Sequence, residues 1–258
     1  MTRDGRFLCR REDGFPLEIT SAGLHLLAMF FMLLDHMWAT VLSWNWMTCA
    51  GRLAFPIFAF MAVEGYFHTG NFRRYLLRLL VFAVVSEIPF NLMYGSSILY
   101  PYHQNVIWTF LLSLACIRLI EGAKATGKGW IYIAAAVGAT GAGCLLGYLL
   151  MPDYYGAGVL TVLTFYFFRG KRWWCLLGQA LALYWINVEL LQGLFYTVSV
   201  FGMELEIAQQ GLAVLALIPI WMYRGKQGLH SKAFQYLCYG FYPVHMLVLV
   251  GILRMMQR

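Results

Sequence analysis

Long apolar runs separated by short polar or charged segments dominate the chain from about residue 20 onward. A helix needs about 20 apolar residues to cross the hydrocarbon core of a bilayer. The pattern therefore predicts an all-α, polytopic transmembrane bundle of about nine spans (eight to ten), with a leader at 1–18 and a single transmembrane domain over 19–258. The predicted spans are 20–42, 52–68, 74–93, 105–121, 130–150, 156–169, 173–190, 207–223 and 234–254.

The stretch 187–206 has the weakest helical pattern, and it is compatible with either an outer re-entrant segment or an extra crossing. An extra crossing would bring both termini to the same side of the membrane. The acidic residues Glu189, Glu204 and Glu206 in this region either are simply solvated or receive a cationic acceptor.

The composition of the chain excludes whole classes of protein. Hydrophobic residues make up 61% of the chain and charged residues 12%, whereas soluble domains average about 45–50% and about 25%. An ordinary soluble enzyme is therefore excluded. The net charge of +7 comes from short clusters between apolar runs, with no stripe that could follow a phosphate backbone, so no nucleic-acid partner is predicted. The scattered cysteines and histidines lack the spacing of a disulfide framework or a metal site.

The basic clusters also predict the orientation in the membrane. Lys and Arg fall at 3–11, 73–78, 118–128, 169–172 and 224–232, and only Arg52, Arg254 and Arg258 lie outside these clusters. Nine spans place all five clusters on one side, and short cytosolic loops retain Lys and Arg. The leader and the N-terminus are therefore predicted to be cytosolic, and the leader is not predicted to be a removed signal peptide.

Ionisable residues within the first two predicted spans are candidates for a functional site, because such groups are costly at membrane depth. His25 and His36 lie about three turns apart on one helical face, roughly 16 Å along the axis. Arg52 begins the second span at the depth of Asp35 and His36. Asp35 and Arg52 either form a buried ion pair that fixes helix packing, or orient and tune His36 as a proton acceptor.

Polar residues occur at both ends of the following helices. Glu64 and His68 end the second span, just before Arg73, Arg74 and Arg78. This arginine cluster is either a membrane-surface anchor or an anion site, since guanidinium groups bind phosphate as bidentate forks. Four further candidates lie in the outer half of the bundle, Glu87, Asn91, Gln104 and Asn105, and the last helix returns Tyr242 and His245 to the membrane interior. Structural hydrogen bonding is the alternative role for His25 and His245.

Five segments carry a resemblance to a known family: LLDHMW, GRLAFPIFAFMAVEGYFHTGNFRRYLLRLLVFAVVSEIPFNL, QNVIWTFLL, YYGAGVLTVLTFYFFRGKR and YGFYPVHMLVLVGI. In this order, from about residue 19 to 253, they resemble the TraX family, membrane proteins named for the enzyme that N-acetylates F pilin. TraX proteins are similar in turn to a larger superfamily of membrane acyltransferases, which use cytosolic acyl-CoA. A basic residue, ten intervening positions and a histidine mark the first helix of that superfamily.

The resemblance implies a role for each candidate residue. The marked histidine falls on His36, and the basic position falls on His25, where the superfamily more often has Lys or Arg. His36, Asp35 and Arg52 would be catalytic, with His36 as the general base. Acetyl-CoA would bind at the cytosolic side, and the acceptor and oxyanion would lie at the outer side. The donor residues would be His25, Glu64, His68, Arg73, Arg74 and Arg78, and the acceptor or oxyanion residues Glu87, Asn91, Gln104, Asn105, Tyr242 and His245.

The implied protein is thus a multi-pass acetyltransferase of the bacterial cytoplasmic (inner) membrane, with no metal. Its acceptor would carry an amine or hydroxyl, as in a peptide N-terminus, an amino sugar or a small amine. Two other classes remain as alternatives: a membrane transporter, although the chain shows no pair of related halves with broken helices, and a noncatalytic assembly protein of a pilus or the envelope.

Overall fold

The computed structural model describes residues 18–200, 203–229 and 231–257. The predicted leader therefore lies outside the described residues except for Glu18, and so does the basic cluster at 3–11. The described helices are α1 (Ser21–Thr40), α2 (Asn45–Gly51), α3 (Ala54–His68), α4 (Phe72–Tyr94), α5 (Val106–Lys124), α6 (Gly129–Leu150), α7 (Tyr155–Phe167), α8 (Trp173–Trp185), α9 (Leu217–Met222) and α10 (Lys232–Met256).

The predicted helical membrane bundle is confirmed. Over the described ranges, seven helical segments are long and apolar enough to cross a membrane, counting Asn45–His68 and Trp173–Leu191 as one segment each. Two shorter apolar segments, Tyr155–Phe167 and Gln209–Met222, occupy the remaining predicted spans. Side-chain caps set several helix starts, because Thr20, Asn71, Asn105 and Ser231 each accept a hydrogen bond from a backbone N–H in the first turn.

Contacts between loops show which loops lie together at each end of the bundle. At one end, which we call the basic end, the Ser21 N–H donates to the Lys226 carbonyl at 2.9 Å, and Arg169 Nε donates to Glu64 Oε1 at 2.8 Å. At the opposite end, the Asp153 N–H donates to the Gln104 carbonyl at 2.8 Å. Successive spans alternate in direction between these ends, so α1 begins at the basic end and α10 finishes at the opposite end.

The second span is a broken helix, and its predicted start at residue 52 was wrong. It begins at Asn45 and breaks between Gly51 and Ala54, and the missing N–H of Pro56 is tolerated in the first turn of α3. A Cβ placed on Gly51 would overlap the side chain of Asp35. The glycine therefore allows α2 to approach α1 closely, and the break places Arg52 between two helix segments.

Residues 186–208 depart from the helical pattern. α8 continues as a π-helical turn over Ile186–Leu191, followed by strands β1 (Phe195–Val200) and β2 (Met203–Ala208). The strands pair antiparallel, from Phe195 opposite Ala208 to Val200 opposite Met203. A 3₁₀ helix over Gln209–Ala216 then leads into α9. The extra crossing considered for 187–206 is therefore not formed, and a two-stranded ribbon lies at the opposite end.

The core lies where α1, α3, α5 and α7 meet. Leu24, Ile57, Leu114 and Val159 are fully buried there. α7 is enclosed by other helices, whereas most of α6 is exposed. The inner helices therefore form a fixed frame for the polar residues at its two ends.

Candidate functional site

Two histidines from the first and last helices form a buried pair. His36 Nδ1 lies 2.6 Å from His245 Nε2, and the two rings stack with centroids 4.8 Å apart. Both residues are buried, with exposed fractions of 8% and 6%. Sequence analysis identified both residues, but it did not predict that they contact each other.

A hydrogen-bond chain fixes the proton positions of this pair. His245 Nδ1 lies 2.6 Å from the Phe241 carbonyl, which can only accept, so His245 carries its proton on Nδ1. In the neutral pair, His245 Nε2 is then the acceptor and His36 Nδ1 the donor. His36 therefore keeps the lone pair of its Nε2, which is the atom that a general base requires.

Asp35 and Arg52 form an ion pair beside His36. Asp35 Oδ1 accepts hydrogen bonds from Arg52 Nη2 and from Thr48 Oγ1, the latter at 2.9 Å. Arg52 also donates from Nε to the Thr48 carbonyl at 3.3 Å and from Nη1 to Gln210 Oε1 at 3.1 Å. The predicted pair is therefore part of a larger polar cluster, and Thr48 and Gln210 are members that sequence analysis missed.

Asp35, His36 and Arg52 line a cavity of about 260 Å³ near the opposite end, which we call the outer cavity. Three tyrosines, Tyr94, Tyr154 and Tyr242, also line the cavity, together with the pair His103 and Asp153. In the cavity wall, aromatic side chains thus surround a small set of charged and titratable side chains.

A strained loop forms one edge of the outer cavity. Met151, Tyr154 and Tyr155 have positive φ angles of 51°, 65° and 47°, a conformation that is costly for residues other than glycine and is concentrated at functional sites. The loop places the Tyr154 ring on Phe55, with centroids 4.0 Å apart. Burial raises the pKa of Tyr154, so its hydroxyl stays protonated and can donate a hydrogen bond.

His103 and Asp153 are further members of this edge that sequence analysis missed. His103 Nε2 lies 3.4 Å from Asp153 Oδ1. Asp153 is held in place because its carbonyl accepts from Thr109 Oγ1 at 2.6 Å. Both residues lie in loops with no helical periodicity, so their separate positions in the sequence gave no signal of contact.

A second cavity, of about 390 Å³, lies toward the basic end. We call it the basic-end cavity. Its wall is mostly apolar but contains four of the predicted donor residues, His25, Glu64, His68 and Arg78. His25 Nδ1 donates to the Ser21 carbonyl at 2.8 Å, which fixes the ring against the start of α1.

The two cavities adjoin. Five residues line both of them: Met32, Phe58, Val106, Phe110 and Tyr242. These shared side chains therefore form a wall, which alone separates the two cavities where they adjoin. His36 lies in the outer cavity beside this wall. This arrangement brings the predicted donor and catalytic residues to adjacent spaces.

The structure places two predicted donor residues away from the cavity. Arg73 and Arg74 are exposed at the start of α4 and do not line the basic-end cavity. Glu64 lines the cavity but is paired with Arg169, whose guanidinium also lies 4.2 Å from the ring centroid of Phe67. The predicted roles of these residues in binding a donor stay predictions.

Four predicted acceptor residues make hydrogen bonds within and between α4, α5 and the loop that joins them, and none of the four lines either of the two cavities. Glu87 Oε2 accepts from Trp108 Nε1 at 3.0 Å and from the Asn105 side chain, which joins α4 to α5. Asn91 donates to the Ile98 carbonyl at 3.2 Å, and Gln104 donates to the Pro101 carbonyl at 2.8 Å. The structure thus shows packing contacts for these residues, and their predicted catalytic roles stay untested.

Charge pairing also organises the basic end. Hydrogen bonding from Lys226 lowers the pKa of Glu18, and burial lowers the pKa of Lys171. Lys171 Nζ donates to the Tyr223 carbonyl. These contacts join three loops near the basic-end cavity.

Comparison with known proteins identifies the family. The model of the family described as TraX protein matches residues 21–253. The probable fimbrial assembly protein FimC, serogroup H1, of Dichelobacter nodosus is 26% identical over 256 residues, covering 93% of this chain and 98% of that protein. No solved structure matches the chain. Because the family model covers nearly all of the helical bundle, the chain belongs to the TraX family.

Proposed function

We propose that this TraX-family protein is an integral-membrane acetyltransferase, which moves an acetyl group from cytosolic acetyl-CoA to an amine or hydroxyl acceptor at the outer side of the bacterial cytoplasmic membrane. One observation carries the proposal: two cavities adjoin at a shared wall, and the buried His36 lies beside that wall in the outer cavity. A group-transfer enzyme with substrates on opposite sides of a membrane needs this arrangement.

The donor would enter from the basic end. The positive-inside rule makes this end cytosolic, and Arg78, His25 and His68 supply positive or hydrogen-bonding groups along the cavity wall. Arg73 and Arg74, exposed at the start of α4, would attract the phosphates of CoA. The linear pantetheine arm would then extend between the helices over about 16 Å, the axial distance from the depth of His25 to that of His36.

The chemistry needs one general base and one donor to the developing oxyanion. His36 Nε2 would remove a proton from the acceptor amine or hydroxyl as that atom forms its bond to the thioester carbonyl carbon. Arg52 would donate to the carbonyl oxygen, which becomes negative in the tetrahedral intermediate. When the C–S bond breaks, the proton on His36 passes to the CoA thiolate, so the enzyme returns to its starting state without a covalent intermediate.

The comparison with the fimbrial protein supports a pilus-related acceptor. The relative's name describes fimbrial assembly, and a pilus subunit offers a peptide N-terminal amine. A noncatalytic role in fimbrial assembly is a second candidate function favoured by the same name. A noncatalytic role would not require the ordered His36–His245 pair, and for this reason we prefer the enzymatic function.

The test is acetyl transfer by the purified protein in proteoliposomes. Labelled acetyl-CoA would be supplied on one side, and on the other side a panel consisting of an unblocked peptide, its N-acetylated form, glucosamine and a small alcohol. We expect labelled product from at least one unblocked acceptor with the wild type and none with His36→Ala. If the wild type gives no more product than His36→Ala with every acceptor, the enzymatic proposal is wrong. Uptake of a substrate without a CoA-dependent product would instead identify a transporter.

A further inference from the structure

Arg52 is held by three different acceptors, which leaves part of its guanidinium free. A guanidinium has five N–H donors in a fixed planar fork. The Nε–H bonds the Thr48 carbonyl, one Nη2–H bonds Asp35, and one Nη1–H bonds Gln210. One N–H on each terminal nitrogen therefore remains without an acceptor among the described residues, and Arg52 lies in the wall of the outer cavity.

A chain of amides sets the orientation of the Gln210 contact. Asn187 Nδ2 donates to the Leu183 carbonyl at 2.7 Å, which turns Asn187 Oδ1 toward Gln210. Gln210 Nε2 donates to that oxygen at 3.1 Å, so Gln210 Oε1 faces Arg52. Both amides are buried, with exposed fractions of 2% and 8%. We call this chain, Arg52–Gln210–Asn187–Leu183 carbonyl, the amide relay.

The relay lies where the helices are least regular. Asn187 is in the π-helical turn Ile186–Leu191, and Gln210 is in the first turn of the 3₁₀ helix Gln209–Ala216. Such π turns are rare and frequently occur at functional sites. The neighbouring Gln209 donates to Thr48 Oγ1 at 3.1 Å, and Thr48 in turn donates to Asp35. Gln210 thus contacts Arg52 directly, and Gln209 acts on Asp35 through Thr48. Two consecutive glutamines therefore hold the two members of one ion pair.

We infer that Gln210 and Asn187 are positioning residues, which hold Arg52 so that its two free N–H groups point at the carbonyl oxygen of the acyl thioester. The inference rests on the proposed function. An amide suits this task because it accepts from the guanidinium without adding a second negative charge beside it, as a carboxylate would. The Arg52–Asp35 pair then stays neutral overall, and the remaining N–H groups of Arg52 can donate to the oxyanion without a further anion beside them.

The first experiment compares steady-state acetyl transfer in Gln210→Leu, Asn187→Leu and a matched control, Gln179→Leu. Gln179 is equally buried, and its amide bonds the Phe168 carbonyl and Trp221, away from Arg52. We expect kcat to fall by at least about tenfold in both relay variants, with the KM for acetyl-CoA changed less than about twofold. In Gln179→Leu, kcat should stay within about twofold of wild type. Equal losses in all three variants would show a merely structural role.

Pairing each relay variant with Arg52→Gln tests whether the relay acts through Arg52. If it does, adding Gln210→Leu or Asn187→Leu to Arg52→Gln should lower kcat by less than about twofold further, because the group that they position is already absent. A multiplicative loss in the double variants would overturn the inference.

A readout that does not need catalysis separates this inference from the proposed function. Phenylglyoxal modifies free guanidinium groups, and mass spectrometry of the Arg52 peptide gives the rate. In Gln210→Leu and Asn187→Leu, Arg52 is released from the amide relay, so its modification rate should rise at least about threefold. The rate should not rise in Gln179→Leu, and the modification of Arg254 serves as the internal reference. If the wild type shows no acetyl transfer, the proposed function fails while this measurement still decides whether the relay positions Arg52. Unchanged modification rates would overturn the positioning role.

Discussion

His36 and His245 lie 209 positions apart in the chain, yet their imidazoles stack within 8° of parallel and share one hydrogen bond. The first and last helices must therefore pack against each other before this site exists. Since His245 donates to the Phe241 carbonyl, the backbone of α10 ultimately determines which nitrogen of His36 is free to accept a proton.

Replacing His36 by Ala should lower acetyl transfer by about a hundredfold to ten-thousandfold, because the general base is removed. Labelled transfer from acetyl-CoA, with size-exclusion profiles to confirm folding, measures the effect. The wild-type rate should also fall with decreasing pH as the imidazole becomes protonated. Normal turnover in His36→Ala would remove this residue from the mechanism.

His245→Leu should reduce kcat by at least about tenfold, but by less than His36→Ala, because it leaves the base in place and removes the partner that fixes its tautomer. The comparison variant is Gln179→Leu, at a buried polar residue that bonds the Phe168 carbonyl and Trp221, and its kcat should be close to wild type. A loss in His245→Leu no larger than that in Gln179→Leu would contradict the ordering role.

Gly51→Ala should disturb the ion pair, because its Cβ would overlap the side chain of Asp35. We expect a loss of about 1–3 kcal/mol in the free energy of unfolding, together with lower transferase activity. Gly122→Ala is the control, since a Cβ there meets no atom within 4 Å and alanine favours the helix. Thermal unfolding in detergent would measure both variants, and equal stability would refute the close-approach argument.

Arg78→Ala should weaken acetyl-CoA binding more than the double substitution Arg73→Ala and Arg74→Ala. Arg78 lines the basic-end cavity, whereas the other two side chains are exposed outside it. We expect about a tenfold increase in Kd for Arg78→Ala, measured by isothermal titration with CoA. Arg118→Ala, at another exposed arginine of the basic end, should bind like wild type. Unchanged affinity in every variant would exclude this cavity as the donor site.

The sequence predicted the spans well because apolar length and flanking charge are local properties. It also identified Asp35, His36 and Arg52, since charged groups are conspicuous in an apolar helix. It could not pair His36 with His245, because that contact depends on how α1 and α10 pack. Gln210 and Asn187 were missed because neutral amides do not stand out in a hydropathy pattern. Two adjacent glutamines in an apolar span were nevertheless a usable signal.

The ribbon at β1 and β2 was also missed, for a physical reason. Strand pairing depends on a partner elsewhere in the chain, and the alternation in FYTVSV and MELEIA extends over only six residues each. His103 and Asp153 were missed because loop residues without periodicity meet only through the fold.

The wall shared by the two cavities has an electrical consequence. A bilayer normally insulates with about 30 Å of hydrocarbon, but two recesses that adjoin at Met32, Phe58 and Tyr242 leave far less insulation at that point. Most of the membrane voltage would then fall across the side chains of this wall, where moving one charge involves about 2.3 kcal/mol per 100 mV. Under the proposed function, the uncharged acetyl group would pass this layer without electrical work, and the anionic nucleotide would stay at the basic end.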